Sequence, residues 1–235
     1  MLPMDILKNI PYKQTHEALR EGDIDKLKKL LCSFVIVMSQ KIYQYKWEGM
    51  DKTTKRNTLK SLVYLDALVT LYRMPPQFEF AIGDLSERFR GMPEEVLEEI
   101  LQKFCKISLS DRTNPSTFKM SRARLTSTDA STQFKFMKSK ESVKTLILHI
   151  IGLVIHLSTG GVAYGHFLAK ILKKDMKDLS SYFRELGAYT EIKPRQQKAG
   201  DESRDEYKVE NTVLVSFRKI HMNNSKESQE EKKNE

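Results

Sequence analysis

The chain has 235 residues, with 40 Lys plus Arg against 31 Asp plus Glu and a formal net charge of +9. That length allows one large or two small domains, and the excess of positive charge favours a polyanionic partner, because each neutralised phosphate releases condensed counterions. Two cysteines, Cys32 and Cys105, exclude a disulfide framework and a four-cysteine zinc site; both lie among apolar residues, which reads as buried free thiols in a reducing compartment.

Residues 1–50 read as a linker with lead-in helices. Pro3 and Pro11 punctuate an extended start, and Asp23 caps a short amphipathic helix carrying Ile24, Leu27, Leu30 and Leu31. Residues 34–45 are apolar enough for a helix or a buried strand, and periodicity does not separate the two. Residues 51–137 form a first unit. Asn57 or Thr58 opens a helix whose buried stripe is Leu62, Leu65, Leu68, Val69 and Tyr72, and Pro75 and Pro76 end it. A short helix over 81–89 stops at Gly91. Pro93 then starts a third helix with Glu94 and Glu95 at its positive end, burying Val96, Leu97, Ile100, Leu101 and Phe104. Residues 106–109 and 117–120, alternating on either side of a turn, read as a hairpin.

The order repeats over 138–220. Ser139 and Ser142 precede an apolar helix with Val143, Ile147, Ile150, Val154 and Leu157. Its apolar run, 146–157, is too short to span a bilayer and contains two histidines, so a core helix is expected and no membrane partner. Gly160 and Gly161 break the chain before a short helix over 164–172. A third helix over 175–186 buries Leu179, Tyr182, Phe183 and Leu186, and Gly187 is placed as its left-handed stop. Strands over 188–192 and 207–217 flank a polar loop. Three helices and a hairpin, twice over, make a mainly α chain with small β-hairpin wings, an α+β tandem winged helix preceded by a helical linker. Residues 221–235 are charged, lack apolar periodicity and read as a disordered tail.

The glycines at 160, 161 and 165 lack the spacing of a phosphate-cradling loop, and no strand feeds them. His149 and His156 share a helix face, but no carboxylate or thiol joins them at ligand spacing, so neither a metal nor any other cofactor is expected. No nucleophile–base order or carboxylate pair stands out, and the chain is read as a non-enzyme.

The positive charge is unevenly spread. Between the units lie Lys106, Arg112, Lys119, Arg122, Arg124, Lys135, Lys138 and Lys140, opposed only by Asp111 and Asp129. The second wing adds Lys193, Arg195 and Lys198, although Asp201, Glu202, Asp205 and Glu206 follow. Long basic side chains on such loops reach phosphates, while a solvated loop face is the alternative. The third helices differ. In the first, Glu94, Glu95, Glu98 and Glu99 put carboxylates on the surface, which a DNA groove repels, so that helix faces protein or solvent. In the second, Lys177, Ser181 and Arg184 share one face, flanked by Asp178 and Glu185. The DNA-contacting set read from the sequence is therefore Lys119, Arg122, Arg124, Lys177, Ser181, Arg184, Lys193, Arg195 and Lys198, bound mostly to the backbone of double-stranded DNA with weak sequence selectivity.

Four runs carry a resemblance. Tyr64-Leu65-Asp66-Ala67-Leu68-Val69-Thr70-Leu71-Tyr72, the stretch from Met92 to Phe104, the helix 139–157 ending Val154-Ile155-His156-Leu157, and Tyr182-Phe183-Arg184-Glu185-Leu186-Gly187-Ala188 resemble, in order and spacing, the forty-nine-kilodalton subunit of RNA polymerase I and its mammalian counterpart, Pol I-associated factor fifty-three. The resemblance runs from about residue 5 to residue 217. It implies a tandem winged helix similar to the small subunit of the Pol II initiation factor TFIIE, tethered to the RNA polymerase I core, binding DNA near the cleft and assisting initiation and elongation on ribosomal RNA genes in the nucleolus. A Pol I initiation factor is a further partner it implies. The family's N-terminal β-barrel, through which it pairs with a smaller Pol I subunit, is not in this sequence. The competing reading is a TFIIE-like protein-docking module that touches polymerase or an initiation factor without binding DNA.

Overall fold

The computed structural model describes residues 8–109, 133–158, 161–193 and 212–216. It is mainly helical with small antiparallel sheets, and it divides into two compact units, Met1–Leu153 and Val154–Glu235.

The first unit opens with α1 (Lys13–Glu21), α2 (Ile24–Leu30) and α3 (Ser33–Tyr45). The extended start expected of Pro3 and Pro11 gives way to a helix just past Pro11: Thr15, Ala18 and Leu19 make its buried stripe, and Gly22 ends it at φ 69°. Proline is compatible with the entry to a helix, and here it only marks where one begins. Asp23 caps α2 as expected, accepting the Lys26 N–H at 2.9 Å. Residues 34–45 are helical, with Val35, Met38, Ser39 and Ile42 buried at helical spacing.

The long helix α4 (Lys52–Arg73) begins earlier than Asn57 or Thr58. Asp51 is its cap, accepting the N–H groups of Thr53 and Thr54 at 2.8 and 2.9 Å. Its first turn carries no apolar stripe, so periodicity alone starts the helix too late. Asp66, midway along α4, is 3% exposed and joins two neighbouring segments. It accepts the Cys32 N–H at the entry to α3 at 2.6 Å and pairs with the Arg90 guanidinium at 2.7 Å. Burial, followed by the charge of Asp66, pushes the Cys32 thiol up to about 11; burial pushes Cys105 up to about 12. Both thiols are therefore inert packing groups.

After α4 come β1 (Gln77–Ala81), α5 (Ile82–Arg88), α6 (Glu94–Phe104), β2 (Lys106–Leu109) and β3 (Gln133–Met137). The hairpin is part of a three-stranded sheet, ordered β1-β3-β2. The strand β1, which the sequence reading omitted, follows directly on Pro76. The partner of β2 is β3, with Lys106 opposite Met137, and the strand expected over 117–120 lies outside the described residues. What selects 133–137 is its alternation: Phe134 and Phe136 are wholly buried while Gln133, Lys135 and Met137 point outward. Phe78 stands opposite Phe136 and stacks on it at 5.0 Å, an aromatic cross-strand pair that pins the register.

Lys138, counted in the sequence among the basic residues between the units, is a correction to that grouping. It is 7% exposed, and its ammonium donates to the carbonyls of Leu71, Tyr72 and Met74 at 2.7, 3.2 and 2.7 Å. It closes the C-terminal end of α4, where cations are favoured, and is buried there rather than presented to solvent. Lys135 is exposed and lies 3.5 Å from Glu79 across the sheet.

The same order of elements then recurs as α7 (Lys140–Leu157), β4 (Val162–Tyr164), α8 (Gly165–Leu172), α9 (Met176–Glu185), β5 (Tyr189–Lys193) and β6 (Thr212–Ser216). The division between the compact units falls inside α7. The second sheet is ordered β4-β6-β5, the same arrangement as the first, and β4 is again a strand the sequence reading left out. Three residues after a glycine break carry too little pattern to be read as a strand. α8 packs on β4 and β6, and α9 on α8 and β5. Gly187 has the left-handed backbone expected of it, at φ 65°.

Candidate nucleic-acid interface

The face of α9 follows from its buried stripe. Leu179 and Phe183 are 0% and 1% exposed, with Tyr182 and Leu186 half-buried beside them. The opposite side is left to solvent, and it carries Lys177, Ser181 and Arg184, all exposed. At about 3.6 residues per turn these three rise as one ridge. Asp178 and Glu185, also exposed, form a second ridge beside it, so the outer surface of α9 is split lengthwise by sign. The hydroxyls of Ser180 and Ser181 donate to the carbonyls of Lys177 and Asp178 at 2.6 and 2.9 Å. Each must turn away from its own helix to meet a phosphate.

Of the residues singled out in the sequence, the structure brings together these three. Lys193 ends β5, its backbone opposite Thr212. Lys119, Arg122, Arg124, Arg195 and Lys198 lie outside the described residues. Sequence reasoning passed over three cations next to the ridge: Lys170 and Lys173, exposed, and Lys174, half-buried. The signal was the Lys173-Lys174 pair, which falls between the helices expected over 164–172 and 175–186 and was assigned no role.

The corresponding helix of the first unit is of opposite character. Glu94 and Glu95 are exposed, and Glu95 accepts from the Asn9 amide at 3.1 Å. The reading of four surface glutamates needs correction at Glu98, which is 8% exposed and accepts from Gln102, one turn on, at 2.9 Å. Glu99 is half-buried; burial, followed by its charge, pushes the Tyr64 hydroxyl up to about 12. His149 meets Phe104 edge-on at 5.3 Å, and its Nδ1 lies 2.8 Å from the Thr145 carbonyl. Burial is the largest influence on it and holds its pKa below the usual imidazole value. Among the described residues no group of three or more His, Cys, Asp or Glu is placed to hold a metal ion, and no helix is long and apolar enough to cross a membrane.

A family model described as A49-like RNA polymerase I associated factor matches residues 1–216, which includes both rounds of elements and the helices ahead of them. The chain belongs to the A49-like RNA polymerase I associated factor family. The match agrees with the resemblance carried by the Tyr64–Tyr72 and Tyr182–Ala188 runs. No curated protein matches the chain closely enough to count as a relative. As an A49-like factor, the chain is a transcription protein associated with RNA polymerase I.

Proposed function

We propose that this factor is a non-catalytic, tandem winged-helix module that binds duplex DNA near the RNA polymerase I cleft and supports initiation and elongation on ribosomal RNA genes in the nucleolus. Each round runs helix, strand, helix, helix, strand, strand, with the first strand at one edge of its sheet and the last in the middle, the order of a winged helix. The observation that carries the DNA reading is the exposed ridge Lys177, Ser181 and Arg184 on α9, the helix that a winged helix offers to a groove or to phosphates. Lys193 and the loop residues Lys119, Arg122, Arg124, Arg195 and Lys198 are proposed as additional phosphate contacts, and the two winged helices as 51–137 and 138–220. The ridge has no Asn or Gln and a single Arg, so it is poorly equipped for bidentate base reading, and binding is weakly sequence-selective. The polymerase core, and a Pol I initiation factor, are proposed as protein partners of the first unit. Exposed Glu94 and Glu95 favour protein there.

The test is the affinity of the chain for an arbitrary short duplex, measured against salt. Affinity that falls steeply with salt, with a slope of about −0.9 for each phosphate contact, is the expected result. A flat response removes the electrostatic case and leaves the docking-module reading in its place.

A further inference from the structure

The turn between α8 and α9 gathers four cations, three of which lie outside the ridge. Lys170 on the last turn of α8, Lys173 and Lys174 in the turn, and Lys177 on the first turn of α9 follow one another closely, all exposed except half-buried Lys174. Among the described residues none of the four is in a salt bridge. Asp175 and Asp178 are close in sequence but pair with none of them.

Lys173 is the sharpest clue. The Lys174 N–H bonds back to the Ala169 carbonyl at 3.1 Å, and Lys173 sits between them in the left-handed region at φ 48°. A β-carbon is disfavoured at that position, which is why glycine usually holds it. This chain follows the rule elsewhere: Gly22 closes α1 at φ 69° and Gly187 follows α9 at φ 65°. Among the described residues the other non-glycine with this backbone is Arg90, at φ 55°, and its guanidinium is held 2.7 Å from buried Asp66. Arg90 thus carries a strained backbone for an internal anion. Lys173 carries the same backbone with its side chain exposed and, among the described residues, no salt-bridge partner.

We propose that Lys170, Lys173, Lys174 and Lys177 form a phosphate-contacting elbow that seats on the backbone of duplex DNA beside the α9 ridge. The proposal rests on the reading that this part of the chain binds DNA, and it adds Lys170, Lys173 and Lys174 to the contact set. Lysine ammoniums on flexible stems suit phosphates as point charges and need no fixed geometry. The exposed residues from His166 to Gly187 are polar, charged or glycine, which leaves no apolar anchor of the kind a peptide partner needs.

The experiment uses the full chain and a short fluorescein-labelled duplex over a salt series, beside thermal melts. Lys173→Gly separates scaffold from contact, because the two readouts move in opposite directions. Glycine relieves the left-handed strain, so the melting temperature rises, while DNA affinity falls by roughly 3- to 10-fold, the effect of about one phosphate contact. Replacing Lys170, Lys173 and Lys174 together by Ala flattens the salt slope by about 2 to 3. The charge-matched replacement of Lys13, Lys28 and Lys29, exposed on α1 and α2, leaves the slope within about 1 of the unmodified chain. If the unmodified chain shows no salt-dependent binding, the DNA reading fails and the elbow with it. If it binds but Lys173→Gly binds equally well, or the control triple matches the elbow triple, the elbow is overturned and the DNA reading stands. Competition by poly-glutamate as effective as that by duplex also overturns it, in favour of an acidic protein partner.

Discussion

The helices α6 and α9 occupy the same place in two copies of one topology, and their outer surfaces are opposites. Each follows a short helix, precedes a hairpin and buries one apolar stripe, Val96, Leu97, Ile100, Leu101 and Phe104 in α6, Leu179 and Phe183 in α9. On the outside α6 carries Glu94 and Glu95, and Asn9 from the lead-in reaches Glu95. α9 carries Lys177, Ser181 and Arg184. The buried residues decide where the helix lies, and the exposed ones decide what it can meet. A repeated fold therefore licenses no transfer of function from one copy to the other.

The largest effects test the scaffold side of this comparison. Phe183 is 1% exposed, and Phe183→Ala is expected to lower stability by roughly 3–5 kcal/mol through lost burial and the cavity left behind. Urea melts will show it, and DNA binding is expected to disappear with the structure that presents the ridge. In the first unit the equivalent weak point is polar. Asp66→Ala leaves the Arg90 guanidinium and the Cys32 N–H without their buried partner, at a cost of about 3 kcal/mol. That loss should appear in melts while DNA affinity at a temperature well below the transition stays unchanged. An Asp66→Ala variant that is folded yet cannot bind DNA would break the assignment of the two surfaces to different partners.

Much of this arrangement was legible in the sequence because apolar spacing and capping residues act locally. Asp23, Pro75, Pro76 and Gly187 each ended or opened an element where expected, and the stripes of α4, α6 and α9 emerged from their periodicity. The strands β1 and β4 did not, since each joins its sheet as an edge paired to a segment far along the chain, Gln133–Met137 for β1 and Thr212–Ser216 for β4. A strand of three to five residues carries too few alternations to be recognised without its partner. At the candidate site, Lys177, Ser181 and Arg184 were legible as a helical face. Lys173 was not, because its interest lies in a backbone angle that no residue pattern encodes. Lys138 and Glu98 were misread for a common reason: a charged residue counts as surface until the packing around it is known, and these two are 7% and 8% exposed.

A smaller effect is expected at the ridge itself. Arg184 is exposed and outside the core, so Arg184→Ala should leave melts within about 0.5 kcal/mol of the unmodified chain. DNA affinity should fall by roughly 3- to 10-fold and the salt slope by about 0.9, as for one lost phosphate contact. Unfolding, or unchanged binding, makes α9 a packing or docking helix and removes the contrast with α6.

The smallest expected effect sharpens the comparison from the other side. Glu94→Gln and Glu95→Gln together raise the net charge by two without touching a buried carboxylate, since both residues are exposed and Glu98 is left in place. If α6 faced DNA, removing two like charges from the contact would raise affinity by as much as the loss of Arg184 lowers it. If α6 is turned elsewhere, the two charges act only through solvent, where screening over about 8–10 Å reduces them at ordinary salt. Affinity is therefore expected to change less than about 2-fold near 150 mM salt, with the slope unaltered. The Asn9 amide donates equally well to a glutamine carbonyl, so the lead-in contact at Glu95 survives the change and does not confuse the result. A rise in affinity to match the fall at Arg184 would place both third helices against DNA.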